Sequence, residues 1–197
     1  MNAAAGGKDG RGERAPLATG RMGMVVLLAS LTMLFAAGIA GYLVIRARAE
    51  VWPPPGVPPL PGGLWLSTVL ILLSSATLYW AVDGIRHEDR RALRLGLSAT
   101  AALGLAFLAS QTVSWFALVA AEGRPQASLF AFTFFVLTVL HALHVVGGLV
   151  PLGVVTARAW RGAYTRDVHA GVEYTAMYWH YLDGVWLVLF AVLLLGS

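Results

Sequence analysis

"VVLLASLTMLFAAGIAGYLVI", Val25 to Ile45, carries no charged side chain, and the uncharged run begins at Met22. A helix needs about 20 residues at about 1.5 Å each to cross the hydrocarbon of a bilayer. This stretch is long enough, and four further apolar segments follow it. The expected elements are helices at about 22–45, 64–82, 92–121, 127–157 and 172–195. The fold class is therefore all-α: a polytopic membrane bundle of five transmembrane helices.

Composition agrees. Of the 197 residues, 58% are hydrophobic and 12% charged, against about 25% charged in a soluble domain. The spans leave no room for a separate soluble domain. Residues 1–21, rich in Ala and Gly with alternating charge, read as a disordered tail. Residues 22–197 form the five-helix domain. "ARA" at Ala47–Ala49 mimics a signal-peptide cleavage site, but the apolar run before it exceeds the roughly 7–15 residues of a signal h-region.

Five spans place the N-terminus and the second and fourth loops on one side. That side holds Lys8, Arg11, Arg14, Arg21, Arg86, Arg90, Arg91, Arg94, Arg158, Arg161 and Arg166. Arg46, Arg48 and Arg124 fall on the other. Positive-inside bias predicts a cytoplasmic N-terminus and an external C-terminus. Trp80 and Trp160 lie near the inner boundary and Trp52 and Trp65 near the outer one, as interfacial anchors. The net charge of +4 is a topology signal and calls for no nucleic-acid partner. The external loop 51–63 has six prolines between Pro53 and Pro61, a stiff extended spacer that cannot be helical.

Cysteine is absent, which excludes c-type haem attachment, iron–sulfur clusters and thiolate copper sites. The chemistry left to explain lies inside the spans. His141 and His144 sit three apart in "HALHVVGGL", His141–Leu149, with His169, Glu173, His180 and Asp183 in and before the last helix. Ionisable groups there face protein or water rather than lipid. Counted from their shared inner boundary, His144 and Asp183 reach similar depths, and helices joined by a short loop pack antiparallel. A His144–Asp183 bond across the last two helices is expected on that count. A non-haem metal site, a bis-His haem on His144 and His180, and a proton path through Glu173 and Asp183 are the competing uses. A seam of interhelical hydrogen bonds, each contributing about 0.6 kcal/mol, is the use the residues favour. Small residues (Ala36/Ala40, Ala37/Gly41, Gly147, Gly148) allow close helix contacts.

Together with "HAGVEYTAMYWHYLDGVWLVLF", His169–Phe190, the "HALHVVGGL" stretch resembles subunit III of haem–copper terminal oxidases. That family has an H-G-L-H-V-x-G-G-like stretch, then H-x-G-x-E, then Y-W-H-F-V-D-x-x-W. The matching residues are His141, His144, Val145, Gly147 and Gly148, then His169, Gly171 and Glu173, then Tyr178, Trp179, His180, Asp183 and Trp186. "MLFAAGIAGYLVIR", "WPPPGVPPLP" and "LGLAFLASQ" with Gln111 extend the likeness along the chain. The chain resembles the shorter, five-helix bacterial form.

It departs at Leu31, Ser114 and Trp115, where the family commonly has Glu, Glu and Tyr, and at Ala142, where it has Gly. A role assigned to the first glutamate therefore does not carry over. The resemblance implies a non-catalytic subunit with no haem or metal of its own, in a bacterial inner membrane. It would bind beside oxidase subunit I, and possibly subunit II, hold phospholipid between helices and support proton uptake by the catalytic subunit. Five histidines are also fewer than the roughly six ligands an oxidase core needs. The alternatives are a subunit III-like accessory protein of a nitric oxide reductase and, in another class, an independent transporter or metal-binding membrane protein.

Overall fold

A computed structural model describes residues 14–52, 62–122 and 129–196. Five helices account for nearly all of them: α1 Arg14–Arg48, α2 Gly63–Arg86, α3 Arg90–Glu122, α4 Leu129–Trp160 and α5 Ala170–Leu195. All five contain segments long and apolar enough to cross a membrane. No strand occurs among the described residues. The helices run past the expected apolar limits because backbone hydrogen bonding does not stop where the hydrocarbon stops.

The largest difference is at α1, which is helical from Arg14 rather than from Met22. Pro16 lies in its first turn, where the N–H that proline lacks would have no partner anyway. The rest of the expected tail, 1–13, lies outside the described residues, as do the spacer prolines 53–61 and the loop 123–128.

Helices α2 and α3 form a tight antiparallel hairpin. Thr77 Oγ1 and Thr100 Oγ1 are 2.9 Å apart, and Ser67 Oγ donates to Ser110 Oγ at 3.0 Å. Small residues set the closeness: a Cβ on Gly96 would lie 2.7 Å from both Ala81 Cβ and the Thr77 carbonyl oxygen. The turn between them places Glu88 at φ +63°. Asp89 Oδ1 then caps α3 by accepting from the N–H groups of Arg91 and Ala92 at 2.9 and 3.0 Å, satisfying two of the unpaired first-turn donors.

The ring closes through α3 against α4, α4 against α5 and α5 back against α2. Trp115 Nε1–H donates to Thr138 Oγ1 at 3.0 Å across α3 and α4. Phe107, Phe134, Trp179 and Trp186 fill the centre.

Among the described residues, helix α1 lies outside this ring, packed on α4 and α5, and is the least buried of the five. Its close approach to α4 is at Gly38, where a Cβ would meet Leu137 at 3.0 Å. The expected small-residue contacts are corrected here. A Cβ on Gly41 would meet nothing within 4 Å, and Ala36 lines a groove.

Candidate functional site

Both indoles of α5, together with His180 and Glu173, pair with α2 rather than α4. Trp186 Nε1–H donates to Thr68 Oγ1 at 3.0 Å, and Trp179 Nε1–H donates to Ser74 Oγ at 3.0 Å. His180 Nδ1 lies 2.7 Å from Ser75 Oγ. At the arginine-rich end, Arg86 Nη2–H donates to Glu173 Oε1 at 3.0 Å. His169 Nε2 stands 3.4 Å from the same oxygen. These contacts form one ladder along the α2–α5 interface, indole rungs at its apolar end and an ion pair at its charged end.

The expected His144–Asp183 bond is not made. His144 Nδ1–H donates to the Leu140 carbonyl at 2.7 Å, and its ring stands edge-on to Phe35 of α1 at 5.2 Å. Asp183 is 4% exposed. His180 Nδ1 lies 3.9 Å from its Oδ2, and Ser75 faces it from α2 without reaching hydrogen-bonding geometry. Helix α5 has a second neighbour, α2, and Asp183 turns toward that wall. The polar signal on α2 consists of hydroxyls rather than ionisable groups: Ser67 and Ser74, and Thr68 and Ser75, each recur seven residues apart.

His141 is fully buried. Phe107 stands 5.7 Å away, Trp186 5.3 Å and Phe35 6.2 Å, and neither ring nitrogen has a hydrogen-bond partner. Tyr178 OH donates to the His144 carbonyl at 3.1 Å. Gly148 makes room for the Tyr178 ring, since a Cβ there would come within 2.9 Å of it. Gly147 faces a groove instead. Among the described residues, no three of His, Asp and Glu converge as a metal-binding group. His144 and His180 open on different grooves, so the arrangement offers no axial pair.

Two apolar grooves flank α1. One, of about 700 Å³, runs between α1, α4 and α5 past Leu31, His144, Gly147, Pro151 and Tyr178. The other, of about 470 Å³, lies beside Phe35, Ile39, Tyr181 and Val188. Between them the Thr32 and Tyr181 hydroxyls meet at 3.0 Å. A third cavity, of about 460 Å³ at the arginine-rich end, has charged walls: Arg21, Arg86 and Glu173, with Tyr79 and His180.

The departures from the resembled pattern also find places. Leu31 is buried and lines the larger of the two apolar grooves. Ser114 donates to the Ser110 carbonyl, and Trp115 carries the α3–α4 bond described above. Of the expected interfacial anchors, Trp65, Trp80 and Trp160 are exposed. Trp160 also lies under the Arg94 guanidinium at 5.6 Å. Trp52 instead donates to the Gly196 carbonyl at 2.7 Å, tying the end of α1 to the end of α5.

Residues 8–197 match the family model for cytochrome c oxidase subunit III. Cytochrome c oxidase subunit 3 of Synechocystis sp. is 35% identical over 181 residues, covering 88% of this chain and 74% of that protein. The subunit 3 of Thermostichus vulcanus is 33% identical over 173 residues, covering 87% and 85%. A probable cytochrome c oxidase subunit 3 of Rickettsia prowazekii is 30% identical over 194 residues, covering 90% and 69%.

Proposed function

The chain belongs to the cytochrome c oxidase subunit III family, and from that premise we propose that it is the non-catalytic membrane subunit of a respiratory haem–copper oxidase. It binds beside subunit I, with subunit II a second neighbour, in a bacterial inner membrane. Haem and copper belong to the partners, and this chain holds none. Its arginine-rich end faces the cytoplasm, so the N-terminus is inside and the C-terminus outside.

The observation that supports this reading is the use made of the motif residues. Trp179, Trp186 and Tyr178 spend their only N–H or O–H donors on neighbouring helices, and His141 is walled in by aromatic rings. Such residues hold a bundle together and present no reacting atom to a substrate. The apolar grooves beside α1 have the volume and apolar walls to take acyl chains, and we assign them to bound phospholipid. By ordering lipid at its surface and presenting arginines to the cytoplasm, the subunit supports proton uptake by the catalytic subunit.

The test is purification of the tagged chain from its native membrane. Co-purification with a haem-bearing oxidase subunit I is expected, with haem and copper absent after the chain is separated from its partners. A nitric oxide reductase partner, metal or haem that stays with the separated chain, or a chain that runs alone and moves solute would each overturn the reading. Lipid extraction from the same preparation should return stoichiometric phospholipid.

A further inference from the structure

We propose that Asp183 is a proton-binding site inside the bundle, loaded from the arginine-rich end through the charged cavity, His180 and Ser75. The site does not depend on partner subunits, so its failure would leave the family reading untouched.

The first observation is the isolation of the carboxyl. Asp183 lies near the middle of α5, about 20 Å along the helix axis from Ala170. It is 4% exposed, and neither oxygen has a hydrogen-bond partner. An ionised carboxylate left so is costly, by several kcal/mol even after relaxation. A bound proton removes the charge and supplies a donor.

The neighbouring helices provide no substitute. On α2, Tyr79 and Arg86 line the cavity, and on α1 Arg21 does the same. On α4, His141 is enclosed by rings and His144 is bonded to its own helix. On α5 itself, Glu173 is held by Arg86 and Tyr181 meets Thr32. Among the described residues, the one ion-pair contact Asp183 has within 4 Å is His180.

The second observation is access. His180 lines the charged cavity together with Arg86 and Glu173, and its Nδ1 is 2.7 Å from Ser75 Oγ. The cavity thus bridges most of the length separating Glu173 from Asp183. Gln111 and His141 are also buried without partners, but neither lines this cavity. Toward the opposite end, Trp186, Leu189 and Leu193 are fully buried and fill the bundle. The path therefore ends at Asp183, which loads and unloads from one face. It stores a proton rather than conducting one across.

The transfer balances. A hydronium ion in the cavity gives its proton to the free ring nitrogen of His180. The Nδ1 proton passes to Ser75 Oγ at 2.7 Å. The Ser75 hydroxyl, which faces the carboxylate without bonding it at rest, swings to it and gives up its own proton. Water and a carboxylic acid result, and imidazole and hydroxyl end neutral. The imidazole proton is left on the other ring nitrogen, and a flip of the ring presents that N–H to Ser75 for the next transfer.

Infrared titration of the full-length chain in lipid nanodiscs tests this. At pH 7 a protonated-carboxyl C=O band is expected that Asp183→Asn removes. Selective ¹³C labelling of aspartate identifies the same band as an aspartic acid without a substitution, and among the described residues the other aspartates, Asp83, Asp89 and Asp167, are all exposed. Transfer of deuterium to that carboxyl from solvent should slow by about a hundredfold in Ser75→Ala and His180→Phe, the scale on which positioned acid–base groups act. A carboxylate band alone at pH 7, or unchanged exchange in both variants, would overturn the proposal.

Discussion

Thr68 accepts from the Trp186 indole while its own hydroxyl hydrogen goes to the Leu64 carbonyl at 2.8 Å. The two partners therefore differ in what their loss leaves behind. Thr68→Val strands a buried indole N–H, at a cost on the scale of a membrane interhelical bond, about 0.6 and at most about 1.7 kcal/mol. Trp186→Phe removes the donor and leaves Thr68 satisfied, so its cost comes from lost packing. A double-mutant cycle followed by unfolding in mixed micelles should return a coupling of about 0.6 kcal/mol and no more than about 1.7. By contrast, Glu173→Gln breaks an ion pair whose side chains are 57% and 40% exposed. That substitution should cost less than about 1 kcal/mol, and the cost should vanish at high salt.

At the scale of elements, the α2–α3 hairpin is the most closely packed pair and α1 the least buried helix. Gly96→Ala drives a methyl into Ala81 and the Thr77 carbonyl and should destabilise by about 1–3 kcal/mol. Gly41→Ala enters open space on α1 and should be neutral or stabilising by up to about 1 kcal/mol. Thermal unfolding of the two variants side by side measures the contrast. The five spans were legible because apolar run length alone places a membrane helix. Which side of α5 each polar group faces was not legible. His180 and Asp183 announce themselves by charge, whereas Ser75, which faces them from α2, is a residue common in any helix. The short loop pointed to α4, and only closure of the ring makes α2 a second wall.

Over the whole molecule, a closed four-helix ring carries a fifth helix with a groove on each side. If the larger groove holds an acyl chain, Gly147→Leu should fill it. A Cβ at Gly147 meets only Tyr178 OH, at 3.9 Å, so the bundle itself should stand. Native mass spectrometry of the purified chain should then show one fewer retained phospholipid with little change in unfolding temperature. The likeness to subunit III was visible in the order of His141, His144, Glu173, His180 and Asp183 before any coordinates. That the charged cavity reaches from Glu173 to His180 was not, because a cavity is a property of three helices at once.

The α2–α5 ladder has a consequence for how the protein is made. Its rungs are unevenly spaced: Thr68, Ser74, Ser75 and Arg86 on one rail, Trp186, Trp179, His180 and Glu173 on the other. If α5 slid by one turn, about 5.4 Å, every rung would lose its partner together. A slip of seven residues would bring an indole back to a hydroxyl but would part Arg86 from Glu173, so one seating alone makes every rung. A helix threaded late into the bilayer can thus recognise its correct depth from its neighbour alone.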